Sequence, residues 1–162
     1  MRLLRQHDGR SYWALRLGQS DFPNAPFQGK PYPCLIWNHE DKPASSELAL
    51  ELVKSGCRYV VCGGFDSVAL EAAVDQAFLS EFGMDEKTWG HDFVMTTAHA
   101  NEPPDDIAHF FVLNTSFDAH EFTDYLLVHI GDSAVANALE AAVWRYAAPT
   151  RSNISLEGRR ER

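Results

Sequence analysis

A chain of 162 residues with 45% hydrophobic and 12% aromatic content is long enough to bury a core without staples, and that composition excludes a disordered chain. The net charge of −9 is uneven: residues 31–150 carry five Lys or Arg against nineteen Asp or Glu, a net −14, while both ends are basic. That acidic body offers no basic track for nucleic acid, and no apolar stretch approaches the roughly 20 residues of a membrane helix.

Met1 to Asp8 lack an apolar signal core, so export is not expected and the cytoplasm is the expected location. Residues 11–17 read as one short strand. A turn-rich connection follows, with Pro23, Pro26 and Pro31 before Cys34. Residues 1–33 are expected to wrap an edge of the sheet, with Phe22, Phe27 and Tyr32 seeking apolar cover.

Four apolar runs come next, at 33–37, 58–62, 93–95 and 125–128. Each ends in a polar and glycine cluster and leads into a helical pattern. This rhythm predicts a parallel sheet with polar loops along one edge. The first helix is predicted over 44–54, with Gly56 as its stop. The second spans 67–82, with Asp66 as N-cap and an apolar stripe of Leu70, Ala73, Val74, Ala77 and Phe78. The third starts at Pro103 or Pro104, with Asp105 and Asp106 in its first turn and Ile107, Phe110 and Phe111 buried. The fourth carries the stripe Val135, Ala138, Leu139, Ala142, Val143, Tyr146. Trp37 and Trp144 read as core aromatics, and His109 as bordering the core. Cys34, Cys57 and Cys62, an odd set in or beside the strand runs, read as buried free thiols of a reducing compartment.

These signals predict a single α/β domain over residues 1–150, a three-layer sandwich with a mainly parallel, flavodoxin/Rossmann-like sheet of four or five strands. The expected order of the four runs is 2-1-3-4, with the N-terminal strand at an edge. Residues 151–162 read as a charged flexible tail. A ligand would sit beyond the carboxyl ends of the strands, where the order reverses.

Three chemistries compete for that edge. In a nucleotide or phosphate site, Gly63 and Gly64 admit the ligand and Ser67 opens the following helix. There is no Gly-x-Gly-x-x-Gly, no Gly-Lys-Ser/Thr and no nearby Arg or Lys, and a glycine turn before a capped helix explains the same residues. In a metal site, His39, His99 and His129 stand at corresponding strand ends, and imidazole with carboxylate suits zinc, iron or manganese. A divalent metal is thus the candidate cofactor, although none is expected from any diagnostic ligand spacing. In nucleophilic catalysis, Ser67 or Ser133 pairs with a histidine, yet neither lies in Gly-x-Ser-x-Gly; Cys62 precedes a helix start that would lower its pKa. Against these stand a capping Asp132-Ser133 pair and a buried thiol.

The segment Phe93-Val94-Met95-Thr96-Thr97-Ala98-His99-Ala100-Asn101-Glu102, with the aromatic helix after it, resembles a small bacterial family, a domain of unknown function. That family has a Val-Met-Thr-Thr-x-His strand end followed by a Glu, and the likeness covers about residues 57–143. It supplies no activity. It directs attention to Thr96, Thr97, His99 and Glu102, with Ala98 standing where a large aromatic is expected.

Two functions follow as expectations. The first is a non-catalytic accessory or protein-interaction module whose acidic surface meets a basic partner protein. The second is a small hydrolase or nucleotide-binding enzyme, metal-dependent or not. There His99, His129, Asp66 and Asp132 would be catalytic, and Gly63, Gly64, Ser67, Thr96, Thr97, Glu102 and Ser133 would bind ligand. The missing catalytic signature ranks the first ahead.

Overall fold

The computed structural model describes residues 1–18, 21–116 and 120–148; the tail expected at 151–162 lies outside the described residues. The chain opens with a hairpin, β1 (Arg2–His7) and β2 (Arg10–Leu17). Asp8 and Gly9 join them, both at positive φ (49° and 73°), the backbone of a tight two-residue turn. β3 (Tyr32–Asn38), α1 (Ser46–Lys54), β4 (Cys57–Gly64), α2 (Ser67–Phe82) and the single turn α3 (Glu86–Trp89) follow. β5 (Met95–Ala98), α4 (Pro104–Leu113), β6 (Asp124–Ile130) and α5 (Ala134–Tyr146) complete the order.

The α/β class and the mainly parallel sheet are as expected, while strand count and order are not. Six strands run β1-β2-β6-β3-β4-β5, and β1–β2 is the antiparallel pair. β1 was hidden because Arg-Leu-Leu-Arg-Gln-His has no apolar alternation. The four foreseen runs stand 4-1-2-3 rather than 2-1-3-4, with β6 between β2 and β3. Burial explains the placement. Tyr125–His129 are all buried, which demands neighbours on both sides, whereas four-residue β5 is only partly buried and takes the edge. β5 also starts later than its apolar run. Phe93 is drawn instead into a cluster with Phe78 and Trp89, each ring 5.5 Å away.

The core has two halves. Leu48, Leu52, Leu70 and Val74 from α1 and α2 meet Ile36, Val60 and Val128 on one face. Ile107, Phe111, Leu139 and Val143 from α4 and α5 meet Leu35, Val61 and Leu127 on the other. The steps β3→β4→β5 advance in one direction and keep their helices on one face; the return to β6 reverses direction and switches face. Phe22, Phe27 and Tyr32 are buried in the first half, Phe27 edge-on to Tyr32 at 5.0 Å. Cys34, Cys57 and Cys62 are free and buried.

Local expectations also shift. Ser45 caps α1 by accepting from Leu48 N at 3.2 Å. Asp66 does not cap α2: it is left-handed at φ 50° and makes no capping bond. In α4, Ala108 and Val112 share the buried face with Ile107 and Phe111, and Phe110 is only partly covered. In α5, Ala136 rather than Ala138 turns inward. Trp144 is no core residue. It lies one step round the helix from Val143, 53% exposed, with the Arg5 guanidinium 4.2 Å over its ring. His109 is exposed and meets Tyr146 edge-on at 4.9 Å. Among the described residues no helix is long and apolar enough to cross a membrane.

The order reverses between β3 and β6. In open α/β sheets the crevice at such a reversal is the usual place for ligands.

Candidate functional site

β3 and β6 deliver one histidine each to that crevice. Parallel register sets Trp37 beside His129 and Asn38 beside Ile130. The His39 amide then donates to the Ile130 carbonyl at 2.9 Å, which fixes the first loop residue after β3 over the end of β6. His39 Nε2 lies 2.9 Å from His129 Nδ1, with the rings stacked at 5.1 Å. On its other side His39 Nδ1 lies 2.7 Å from Ser133 Oγ. Ser133 is exposed and caps α5, where its Oγ accepts from Val135 N at 3.2 Å.

His129 is wholly buried, and its Nε2 faces Glu140 Oε1 at 3.4 Å, beyond good hydrogen-bond length. Ser133 and Glu140 stand seven residues apart, two turns along one face of α5, and the two imidazoles bridge them. Two arginines hold Glu140: Arg2 bonds Oε2, and Arg16 Nη2 lies 3.4 Å from Oε1. Arg16 also binds Asn137 at 2.9 Å and Asp132 at 2.9 Å. The basic hairpin thus braces the inner end of the relay.

Burial disfavours charge on both rings. It lowers the His39 pKa below 6.5 against the pull of Asp132. It brings His129 down to about 4, helped by His39 and opposed by Glu140. Glu140, paired with two guanidiniums, faces His129 Nε2, and we assign the His129 proton to that nitrogen on this ground. His129 Nδ1 then accepts from His39 Nε2–H, and His39 Nδ1 is left as acceptor for the Ser133 hydroxyl. The Ser133 and His39 protons thus point the same way, inward from the serine, and His129 Nε2 faces Glu140 without a hydrogen bond.

Beside the relay opens a cleft of about 650 Å³. Its lining includes Trp37, His39, Glu40, Asp41 and Ser133 together with Phe65, His99, Asn101 and Glu102. His99 is buried there. Its Nδ1 bonds Glu102 Oε2 at 2.9 Å, its Nε2 bonds Thr97 Oγ1 at 3.2 Å, and its ring lies 4.6 Å from Phe110.

Of the three histidines foreseen together, His39 and His129 meet, while His99 forms a separate cluster on the same cleft. Among the described residues no three of His, Cys, Asp and Glu are arranged to hold a metal. Asp132 is turned to Arg16. Thr96 bonds Asp75 on α2 at 2.8 Å, and Ser67 is buried at the start of that helix. The two glycines serve strand packing: a Cβ on Gly63 would lie 2.9 Å from the Trp37 ring, and one on Gly64 would overlap the Asn38 carbonyl. The Cys62 thiol is buried and pushed well up by that burial, the opposite of an activated nucleophile. Sequence reading missed Glu140, Arg2 and Arg16. The available signal for Glu140 was a lone charge inside the apolar stripe of α5.

A family model described as Domain of unknown function (DUF7684) matches residues 11–145. No curated protein and no solved structure matches the chain.

Proposed function

The chain belongs to the family described as Domain of unknown function (DUF7684), and on that footing we propose that it is a small hydrolase working by acyl transfer through Ser133. One observation carries the reading. Ser133 Oγ lies 2.7 Å from His39 Nδ1, and the same ring's Nε2 lies 2.9 Å from buried His129. Nucleophile, base and orienting group are within hydrogen-bond reach in series.

In acylation His39 Nδ1 takes the Ser133 proton as Oγ attacks the carbonyl carbon of an ester or amide. The oxyanion forms beside the first turn of α5, the positive end of the helix dipole. Collapse breaks the bond to the leaving group, which departs with the proton from His39 Nδ1. Water then attacks the acyl carbon and gives a proton to His39. Ser133 Oγ leaves and recovers it. His129 and Glu140 are positioning residues that hold the His39 tautomer and stabilise its imidazolium. The relay ranks this reading above the accessory module, and the steps use protein groups alone.

A fluorophosphonate probe tests it, because such probes label activated serines. Mass spectrometry should find the adduct on Ser133, none in Ser133→Ala, and labelling slowed by about 100-fold in His39→Ala. Absence of an adduct on the folded wild-type protein would end the proposal.

A further inference from the structure

We infer that the cleft takes substrates bearing a cationic group, an ammonium or guanidinium on an apolar stem, and that Glu102 is the residue that selects them. The inference rests on the hydrolase reading for the reaction and on the cleft's own geometry for the specificity. Glu102 is no ordinary surface carboxylate. Its Oε2 is fixed by Nδ1 of buried His99, and that ring is fixed in turn by Thr97 through Nε2. A side chain that is 48% exposed is therefore held in one position on the cleft wall before any ligand arrives. Oε1 makes no hydrogen bond among the described residues and stays available to a ligand.

The rest of the cleft agrees in sign. Glu40 and Asp41 also line it, and among its lining residues there is no Lys or Arg. Glu40 pairs with Lys42 at 3.0 Å, and Lys42, itself 72% exposed, is not among the lining residues. The two lining histidines are committed, His39 to Ser133 and His129, His99 to Thr97 and Glu102. No lysine or arginine in the lining therefore answers the full charge of a phosphate or carboxylate. Trp37 and the 45% exposed Phe65 supply aromatic surface for an apolar stem and favour a cation near their faces. The cleft lining thus holds both the nucleophile Ser133 and a carboxylate fixed by His99.

The test uses two esters of equal length and leaving group, p-nitrophenyl 6-aminohexanoate and p-nitrophenyl heptanoate, which exchange an ammonium for a methyl. The cationic ester should show kcat/KM at least about five-fold higher at low salt, the scale of a well-formed exposed ion pair. Glu102→Gln keeps an oxygen for His99, and it should bring the ratio between the two esters close to one. A parallel titration follows n-hexylammonium and n-hexanol by amide shifts of residues 99–102. The ammonium should bind more tightly, and Glu102→Gln should remove the difference. Equal binding of the two probes, or a difference that survives Glu102→Gln, overturns the inference. Ester rates unchanged by Ser133→Ala overturn the hydrolase reading instead, and the titration then decides the cation site by itself.

Discussion

His39 and His129 come from positions ninety residues apart and face one another through Nε2 and Nδ1 at 2.9 Å. The contact is a product of sheet order. β3 and β6 are neighbours because the chain, having stepped outward through β4 and β5, returns to the inner side of β3. Two residues at equivalent ends of adjacent parallel strands then share one crevice, and α5 brings Ser133 to the outer ring and Glu140 to the inner one.

The first prediction concerns pH and rate. His39 accepts a proton only when neutral, and burial lowers its pKa below 6.5. Activity is therefore full above neutrality and falls as pH drops through that lowered value. The pH dependence of kcat/KM, or of fluorophosphonate labelling, should show an acid limb below 6.5 that Asp132→Asn moves further down, because Asp132 pulls the value up. A limb centred above 7 would contradict the assignment of the base.

The second concerns pH and stability. His129 titrates near 4 in the fold and near 6.5 when unfolded. Between those values the unfolded chain binds more protons, so stability is full above pH 6.5 and is lost as pH falls toward 4. The loss attributable to this group is about 2 kcal/mol between pH 7.5 and pH 5, and His39 adds in the same direction. Urea unfolding at the two pH values should show this drop in wild type and a smaller one in His129→Leu.

Much of this architecture was legible from local pattern. The four apolar runs became β3, β4, β5 and β6, and α2 occupies the residues that its stripe marks, because burial on one or both faces writes a period into the chain. The hairpin was not read from the sequence: its one local mark is Asp8-Gly9, and β1 is an exposed edge whose side chains carry no alternation. Strand order left no local trace. The convergence of His39, His129 and Ser133 depends on that order alone, which is why histidines at three equivalent strand ends looked interchangeable when β5 in fact holds His99 apart, with β3 and β4 between it and β6.

A third prediction separates the glycines from the chemistry. Gly63→Ala places a methyl 2.9 Å from the Trp37 ring, with Ile107 at 3.3 Å closing the other side. Overpacking of this kind costs about 1–3 kcal/mol. Gly64→Ala should cost more, because it adds backbone strain at φ 79° to an overlap with the Asn38 carbonyl. Urea midpoints fall in both cases, and the order of the two penalties is the discriminating result.

A fourth concerns the candidate metal. A relay of hydrogen-bonded rings spends the facing nitrogens of His39 and His129 on each other, so stripping divalent ions with a chelator should leave the rate of fluorophosphonate labelling within about two-fold, the reaction being acid–base chemistry of side chains. A labelling rate that collapses on chelation and returns with zinc or manganese would move both histidines into a metal shell.

The last prediction isolates Glu140. The carboxylate touches neither substrate nor nucleophile, so its effect must travel through His129. It favours the charged form of that ring electrostatically from 3.4 Å, and Arg2 and Arg16 hold it in place. Glu140→Gln keeps the shape and removes the charge. Stabilisation of the imidazolium formed on His39 weakens, and kcat should fall about ten-fold or more, with KM little changed because ground-state binding is untouched. The same variant should lower the His129 pKa further, visible in the ring's NMR titration, because the one nearby group that raises it most is gone. A purely structural role would lower the unfolding midpoint without moving that titration or separating kcat from KM. Arg16→Gln supplies the complement: it loosens one of the two clamps on Glu140 and removes a positive charge that depresses both histidines, so it should raise their pKa values while reducing kcat less than Glu140→Gln does. Opposite movements of the two titrations, with rates falling in both variants, are what a relay ending at Glu140 requires.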